Sequence, residues 1–173
     1  MYRIGDLWER AEVSVADEHL ATAITNRVMS SVYEALAVEL PTSKERVLVS
    51  AVEGDQHVMG LRMVADVLEG AGYETLFLGI DATLLALIAE IERYQPRVLA
   101  LGATAPWSGA GLVETIREVR AVNTSLAIVV GGAQAQAAAD AVADQRVIVA
   151  ADATEVLAAV ERAIEASWSS QPP

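Results

Sequence analysis

Asp55, His57 and Gly60 stand in the order D-x-H-x-x-G, inside the segment Glu53-Gly54-Asp55-Gln56-His57-Val58-Met59-Gly60. A neutral imidazole is a good ligand for a transition metal through one ring nitrogen. A carboxylate two residues earlier can accept a hydrogen bond from the other nitrogen. That bond would fix the tautomer and make the ligating nitrogen more basic. Gly60 has no Cβ, so a bulky ligand can lie against the start of the element that follows. Taken alone, the same segment also reads as a polar loop with a stray histidine. A second set stands near the amino terminus, where Trp8 is followed after nine residues by Glu18-His19. If the chain doubles back between them, about Val13, one large aromatic and two titratable groups face a shared pocket. A core tryptophan with an exposed Glu-His pair is the equal alternative.

The elements that position these residues follow from the apolar pattern. Two helices are predicted before the first break. One covers Tyr2 to Ala11; the second starts near Ser14, where Ser14 and Asp17 form a capping-box-like pair. Leu20, Ile24, Val28, Val32 and Leu36 recur every four positions along it, as one helical stripe. Pro41-Thr42-Ser43 breaks it.

From Arg46 onward, short buried strands alternate with helices. Strands are predicted at 46–51, 73–78, 97–101, 125–130 and 146–149, and helices at 59–69, 83–94, 109–122, 133–143 and 153–166, with a loose tail from 167. The expected fold class is therefore α/β, a flavodoxin-like five-stranded parallel sheet of order 2-1-3-4-5, preceded by a partial helical-bundle cap. The expected domains are a helical cap at 1–43 and a Rossmann-like domain at 44–173. Ligands of such sheets sit beyond the carboxyl ends of the strands. His57 falls after the first strand, Gly102-Ala103-Thr104 after the third, and Gly131-Gly132 after the fourth. Small residues in those two loops let a ligand approach the backbone. For Gly131-Gly132 a tight strand-to-helix turn explains the pair as well.

Together these loops resemble the cobalamin-binding domain shared by methionine synthase, corrinoid methyl carriers and corrin-dependent mutases. Its pattern is D-x-H-x-x-G, then S-x-L, then G-G, matched here by Asp55/His57/Gly60, Gly102-Ala103-Thr104 and Gly131-Gly132. The resemblance implies a base-off, His-on cofactor. His57 would be the lower axial ligand of cobalt, with Gln56 and Val58 beside it, and the displaced nucleotide tail would run between the other two loops. Gly102 and Thr104 depart from the serine and leucine of the pattern, and Thr104 and Ser108 are the hydroxyls on offer to the tail in the serine's place. The run GDLWERAEVSVADEHLATAI resembles the helical cap of light-sensing, adenosylcobalamin-dependent regulators. That implies Trp8 and Glu18 against the adenosyl group, with His19 as the residue left to take the upper face of cobalt after photolysis. Some light sensors carry a histidine directly after that tryptophan; here the residue is Glu9. The family cap has four helices. This chain has room for two and begins where the third would begin, so it would be a fragment, or a partner chain would complete the cap.

Composition sets outer limits. Of 173 residues 53% are hydrophobic, enough for a sizeable core. The net charge of -12 repels phosphate backbones, so this chain should bind neither nucleic acid nor anionic lipid directly. No apolar run approaches the ~20 residues that span a bilayer. The lack of cysteine excludes disulfides, thiolate metal sites and a covalently attached bilin, and fits the cytoplasm. A second, non-covalent bilin stays open. The expected function is a cobalamin-binding, light-responsive sensor without catalysis of its own, acting as a homo-oligomer or on a partner output protein. The alternative is a corrinoid methyl carrier of a methyltransferase system. A flavodoxin-like domain with no corrin ranks third; it would bind a nucleotide, or zinc through Asp55 and His57 with further carboxylates, since zinc takes three or four ligands.

Overall fold

The structure is a computed structural model that describes residues 2–36, 44–80 and 82–168. The chain divides into two compact units, residues 1–39 and 40–173. The expected break at Pro41-Thr42-Ser43, and with it the boundary after residue 43, lies outside the described residues, as does the tail beyond 168.

The first unit is a helix pair, α1 (Tyr2–Glu9) and α2 (Val15–Leu36). Helix α1 stops two residues short of the expected Ala11, because Ala11 takes a left-handed backbone (φ 56°). Its N–H and that of Glu12 return to the carbonyls of Trp8 and Leu7 at 2.8 Å and close the helix end. Helix α2 begins with a reciprocal cap. Ser14 N–H and Oγ donate to Asp17 Oδ2 at 2.9 and 2.6 Å, and Asp17 N–H donates back to Ser14 Oγ at 3.2 Å. Leu20, Ile24, Val28 and Val32 form one ridge and are each at least half exposed.

The second unit is a parallel sheet of order β2-β1-β3-β4-β5. Its strands are β1 (Arg46–Ala51), β2 (Glu74–Gly79), β3 (Val98–Gly102), β4 (Ala127–Gly131) and β5 (Val147–Val149). The helices between and after them are α3 (Val58–Gly70), α4 (Leu84–Tyr94), α5 (Ser108–Val122), α6 (Ala135–Val142) and α7 (Val156–Trp168). Both faces of the sheet are covered, which is why its inner strands read as continuous apolar runs. Val47, Val49, Val98, Ala100 and Val129 pack under α3 and α7. Leu48, Leu99, Leu101, Ile128 and Val130 pack under α4, α5 and α6. The expected order is the observed one. Boundaries move by one to three residues, as at α6, where Ala133 and Gln134 form a turn before the helix starts at Ala135.

Register sets the ligand edge. Ala51 pairs with Gly102, and Gly102 with Gly131, so β1, β3 and β4 end level with one another. The loops that leave these strands therefore start side by side.

Candidate functional site

The β1–α3 loop carries Asp55 and His57, and its geometry is set by one buried carboxylate. Asp55 is 1% exposed. Its Oδ1 accepts the backbone N–H of His57 at 3.0 Å and stands 2.8 Å from His57 Nδ1. Its Oδ2 accepts the backbone N–H groups of Thr104 at 2.5 Å and Ala105 at 3.0 Å. One carboxylate thus clamps the loop after β1 to the loop after β3. Burial pulls its pKa up, but the N–H groups of Thr104, His57 and Ala105 and the imidazole outweigh burial and hold it at about 2. An ionised carboxylate accepts only, so Nδ1 must carry the proton in its bond to Asp55. In the neutral imidazole that leaves Nε2 with its lone pair, on a side chain 56% exposed.

Other bonds hold the same loop. Glu53 Oε2 accepts Leu84 N–H at 3.0 Å, at the start of α4. Trp107 Nε1–H donates to the Gly54 carbonyl at 3.4 Å. Gln56 is exposed, and its carbonyl accepts Val58 N–H at 2.9 Å where α3 begins. Nothing lies within 4 Å of a Cβ built on Gly60, so the backbone there faces open space. This donor set suits a metal that needs one protein ligand on an open face. Among the described residues no three His, Asp or Glu side chains gather, so zinc finds no full ligand set there. A metal whose other ligands come from a cofactor would need only His57 from this loop.

The two small-residue loops are shaped by the protein itself. A Cβ on Gly132 would lie 2.4 Å from the Ala103 carbonyl oxygen, and its φ is +94°. That carbonyl accepts Gln134 N–H at 3.0 Å as the chain turns into α6. Gly132 is needed for this turn, whatever ligand is bound. A Cβ on Gly131 would make only an ordinary contact, 3.6 Å from the Ala150 carbonyl. Gly102 is packed against the side chain of Leu61. Thr104 contributes its backbone to Asp55, with its Oγ1 close to Gly132. Ser108 is not the free hydroxyl that the sequence offered: it is buried and donates to the Ala105 carbonyl at 2.7 Å.

In the helix pair, Trp8 is 47% exposed. Glu18 Oε2 lies 3.1 Å from His19 Nδ1, and Glu18 Oε1 accepts Thr22 Oγ1–H at 2.8 Å. Glu18 and His19 are thus joined to each other.

The amides of Thr104 and Ala105, Glu53 and Trp107 stand outside the motif residues. Backbone donors leave no mark in a sequence. Trp107 did leave one, as a large apolar residue in the otherwise small-residue run Ala105-Pro106-Trp107-Ser108-Gly109.

The chain matches known proteins in both of its units. The helix pair also matches, over residues 1–33, a family described as B12 binding domain. The chain is 32% identical over 105 residues to the HTH-type transcriptional repressor CarA of Myxococcus xanthus, covering 59% of this chain and 36% of that protein. It is 29% identical over 141 residues to monomethylamine corrinoid protein 2 of Methanosarcina acetivorans, covering 75% of this chain and 63% of that one. It thus spans less than two thirds of either relative. Among solved structures, the Methanosarcina barkeri monomethylamine corrinoid protein has the same fold, with a TM-score of 0.79 at 19% identity over 95% of this chain and 77% of that one. The sheet unit, with its D-x-H-x-x-G loop, matches the B12 binding domain over residues 45–161, and the chain belongs to that family.

Proposed function

We propose that the protein is a light-responsive sensor that holds adenosylcobalamin base-off through His57. The observation that carries this reading is the Asp55–His57 pair, in which the carboxylate fixes Nδ1 and leaves the Nε2 lone pair on a half-exposed side chain. His57 would be the lower axial ligand. Gly60 and the loops at Gly102–Thr104 and Gly131–Gly132 would border the cofactor. Trp8, Glu18 and His19 are assigned to its upper ligand, on the W-x9-E-H pattern and the similarity to CarA. Bound there, the cofactor supplies a cobalt–carbon bond that light can break, while the protein supplies orientation and electrostatics. The output is a change of assembly, among its own copies or with a partner protein in the cytoplasm, and no catalysis by this chain.

A corrinoid methyl carrier is the second reading. Its support is the monomethylamine corrinoid protein relative, matched over 75% of this chain.

The test is a visible spectrum of the chain with adenosylcobalamin in the dark and after green light, with size-exclusion runs at both stages. A His-on spectrum that photoconverts with a change in elution supports the sensor. Binding with no change in assembly, together with methyl transfer to a thiol acceptor through a partner enzyme, supports the carrier instead. His57→Ala should stay folded and bind much more weakly. An unchanged spectrum and affinity in that variant would remove the axial ligand from both readings.

A further inference from the structure

Trp107 lies between β3 and α5 and keeps 71% of its surface in water. It does not serve the core, since α5 meets the sheet through Leu112, Ile116 and Val119. Instead, its Nε1–H reaches the carbonyl of Gly54, inside the loop that carries His57. The bond holds the nitrogen-bearing edge of the indole and leaves the rest of the ring system open. Strand order places β2 and β3 on opposite sides of β1. The His57 loop is therefore flanked by an exposed apolar residue after each neighbouring strand: Ile80 after β2, 37% exposed, and Trp107 after β3. A corrin is a broad, flat ring with methyl groups and amide arms on its rim. An indole offers a large apolar face with a polar end that is already satisfied here.

We propose that Trp107 is a further corrin-contacting residue, whose indole forms a wall against the rim of the ring on the β3 side of His57. The proposal rests on the cobalamin reading above and adds a residue to it. In that role Trp107 sets how tightly the ring is held, and His57 sets the ligation. A merely structural role, acting through Gly54, would need the N–H and not the face of the ring.

The test uses hydroxocobalamin as the probe, with the wild-type chain, Trp107→Ala, Trp107→Phe and His57→Ala. Trp107→Ala should bind about tenfold more weakly with an unchanged His-on spectrum, the effect of losing one buried aromatic face. Trp107→Phe, which keeps a face and loses the N–H, should stay within about threefold of wild type. Hydroxyl-radical oxidation of Trp107, read by mass spectrometry, should fall when the wild-type chain is loaded. Because Trp107 is so exposed, both variants should fold, which circular dichroism checks. Equal affinity of Trp107→Ala and wild type, or unchanged oxidation of Trp107 in the loaded chain, overturns the proposal. So does a Trp107→Phe variant as weak as Trp107→Ala, which would assign the effect to the Gly54 bond. If the wild type does not bind, or His57→Ala keeps the wild-type spectrum, the cobalamin reading itself fails.

Discussion

The side chain of Leu61 fills the space beside Gly102. A Cβ built on Gly102 would lie 2.7 Å from Leu61 Cδ2 and 2.8 Å from its Cδ1 and Cγ, closer than real Cβ contacts come. Leu61 belongs to α3 and Gly102 is the last residue of β3. The first turn of α3 follows directly on His57, so this contact sets the start of that helix against the strand next to it. The serine that the family pattern places at position 102 cannot enter while Leu61 stays where it is. The departure from S-x-L thus has a physical partner in α3.

Replacing Gly102 by serine should destabilise the sheet unit by about 1–3 kcal/mol, the usual cost of overpacking a filled site. Leu61→Ala alone should cost about 2–5 kcal/mol through the cavity it leaves. Made together, the two should cost clearly less than the sum, because each relieves the fault of the other. Urea unfolding of the four proteins checks this, and strictly additive costs would mean that the residues do not share the space.

The two glycines after β4 should behave differently. Gly132→Ala places a Cβ against a backbone carbonyl at 2.4 Å and forces a side chain onto φ +94°. A loss of roughly 3 kcal/mol, and a Tm lower by about 6–12 °C, is expected. Gly131→Ala meets only an ordinary contact and should stay within about 1 kcal/mol of wild type. Thermal unfolding of both variants separates them; equal losses would contradict the geometry.

Asp55→Asn keeps the shape and removes the acceptor at one oxygen. An amide nitrogen facing the N–H groups of Thr104 and Ala105 meets donor with donor. Turned the other way, it faces the N–H groups of His57. Either way a buried donor is left unpaired, and a stability loss of about 1–3 kcal/mol is expected. The imidazole also loses its charged acceptor, so cobalamin affinity should fall by about tenfold or more. Denaturant unfolding and a spectroscopic titration with hydroxocobalamin measure the two effects. Unchanged affinity would show that Asp55 holds the loops and does not tune the ligand.

Acid should weaken the sheet unit through Asp144 as well as Asp55. Burial raises the Asp144 pKa, but the N–H of Arg146 and the guanidinium groups of Arg120 and Arg146 outweigh it and hold it at about 2, against an ordinary 3.8. A carboxylate with a lowered folded pKa stabilises above its unfolded pKa and loses that contribution as the pH falls through the folded one. About 2 kcal/mol should therefore disappear between roughly pH 5 and pH 2. In Asp144→Asn the stability-against-pH curve should be flatter in this window. Parallel curves for variant and wild type would exclude Asp144 as a contributor.

Trp8→Ala bears on the upper-ligand assignment. Cobalt ligation by His57 should survive, and the preference for the adenosyl over the hydroxo form should shrink. An unchanged ratio of the two affinities would remove Trp8 from the cofactor.

The sheet was legible because its inner strands are buried on both faces. Runs such as Val47-Leu48-Val49 and Ile128-Val129-Val130 have one physical use, and Gly70-Ala71-Gly72 or Pro96 mark where the helices stop. His57 and Asp55 were legible because a histidine at a strand's carboxyl end is unusual by type and place. The clamp was not. Thr104 and Ala105 meet Asp55 through N–H groups that every non-proline residue has, from a loop about fifty residues away. Of the two readings of Gly131-Gly132, a ligand's approach and a tight turn, the Ala103 carbonyl accounts for Gly132 by the turn. Helix ends moved wherever a local backbone choice decided, as at Ala11, whose left-handed turn no propensity for alanine suggests.

The strand order has one more consequence, for how the protein keeps apart from its own copies. Among the described residues β2 and β5 are the edge strands of the sheet, and β5 is the three residues Val147–Val149. A ladder that short gives a stray strand little to pair with, and at the other edge Glu74 starts β2 with an exposed charge. A sheet this apolar, closed by so short a strand at one margin and headed by a carboxylate at the other, is guarded against sideways growth into aggregates.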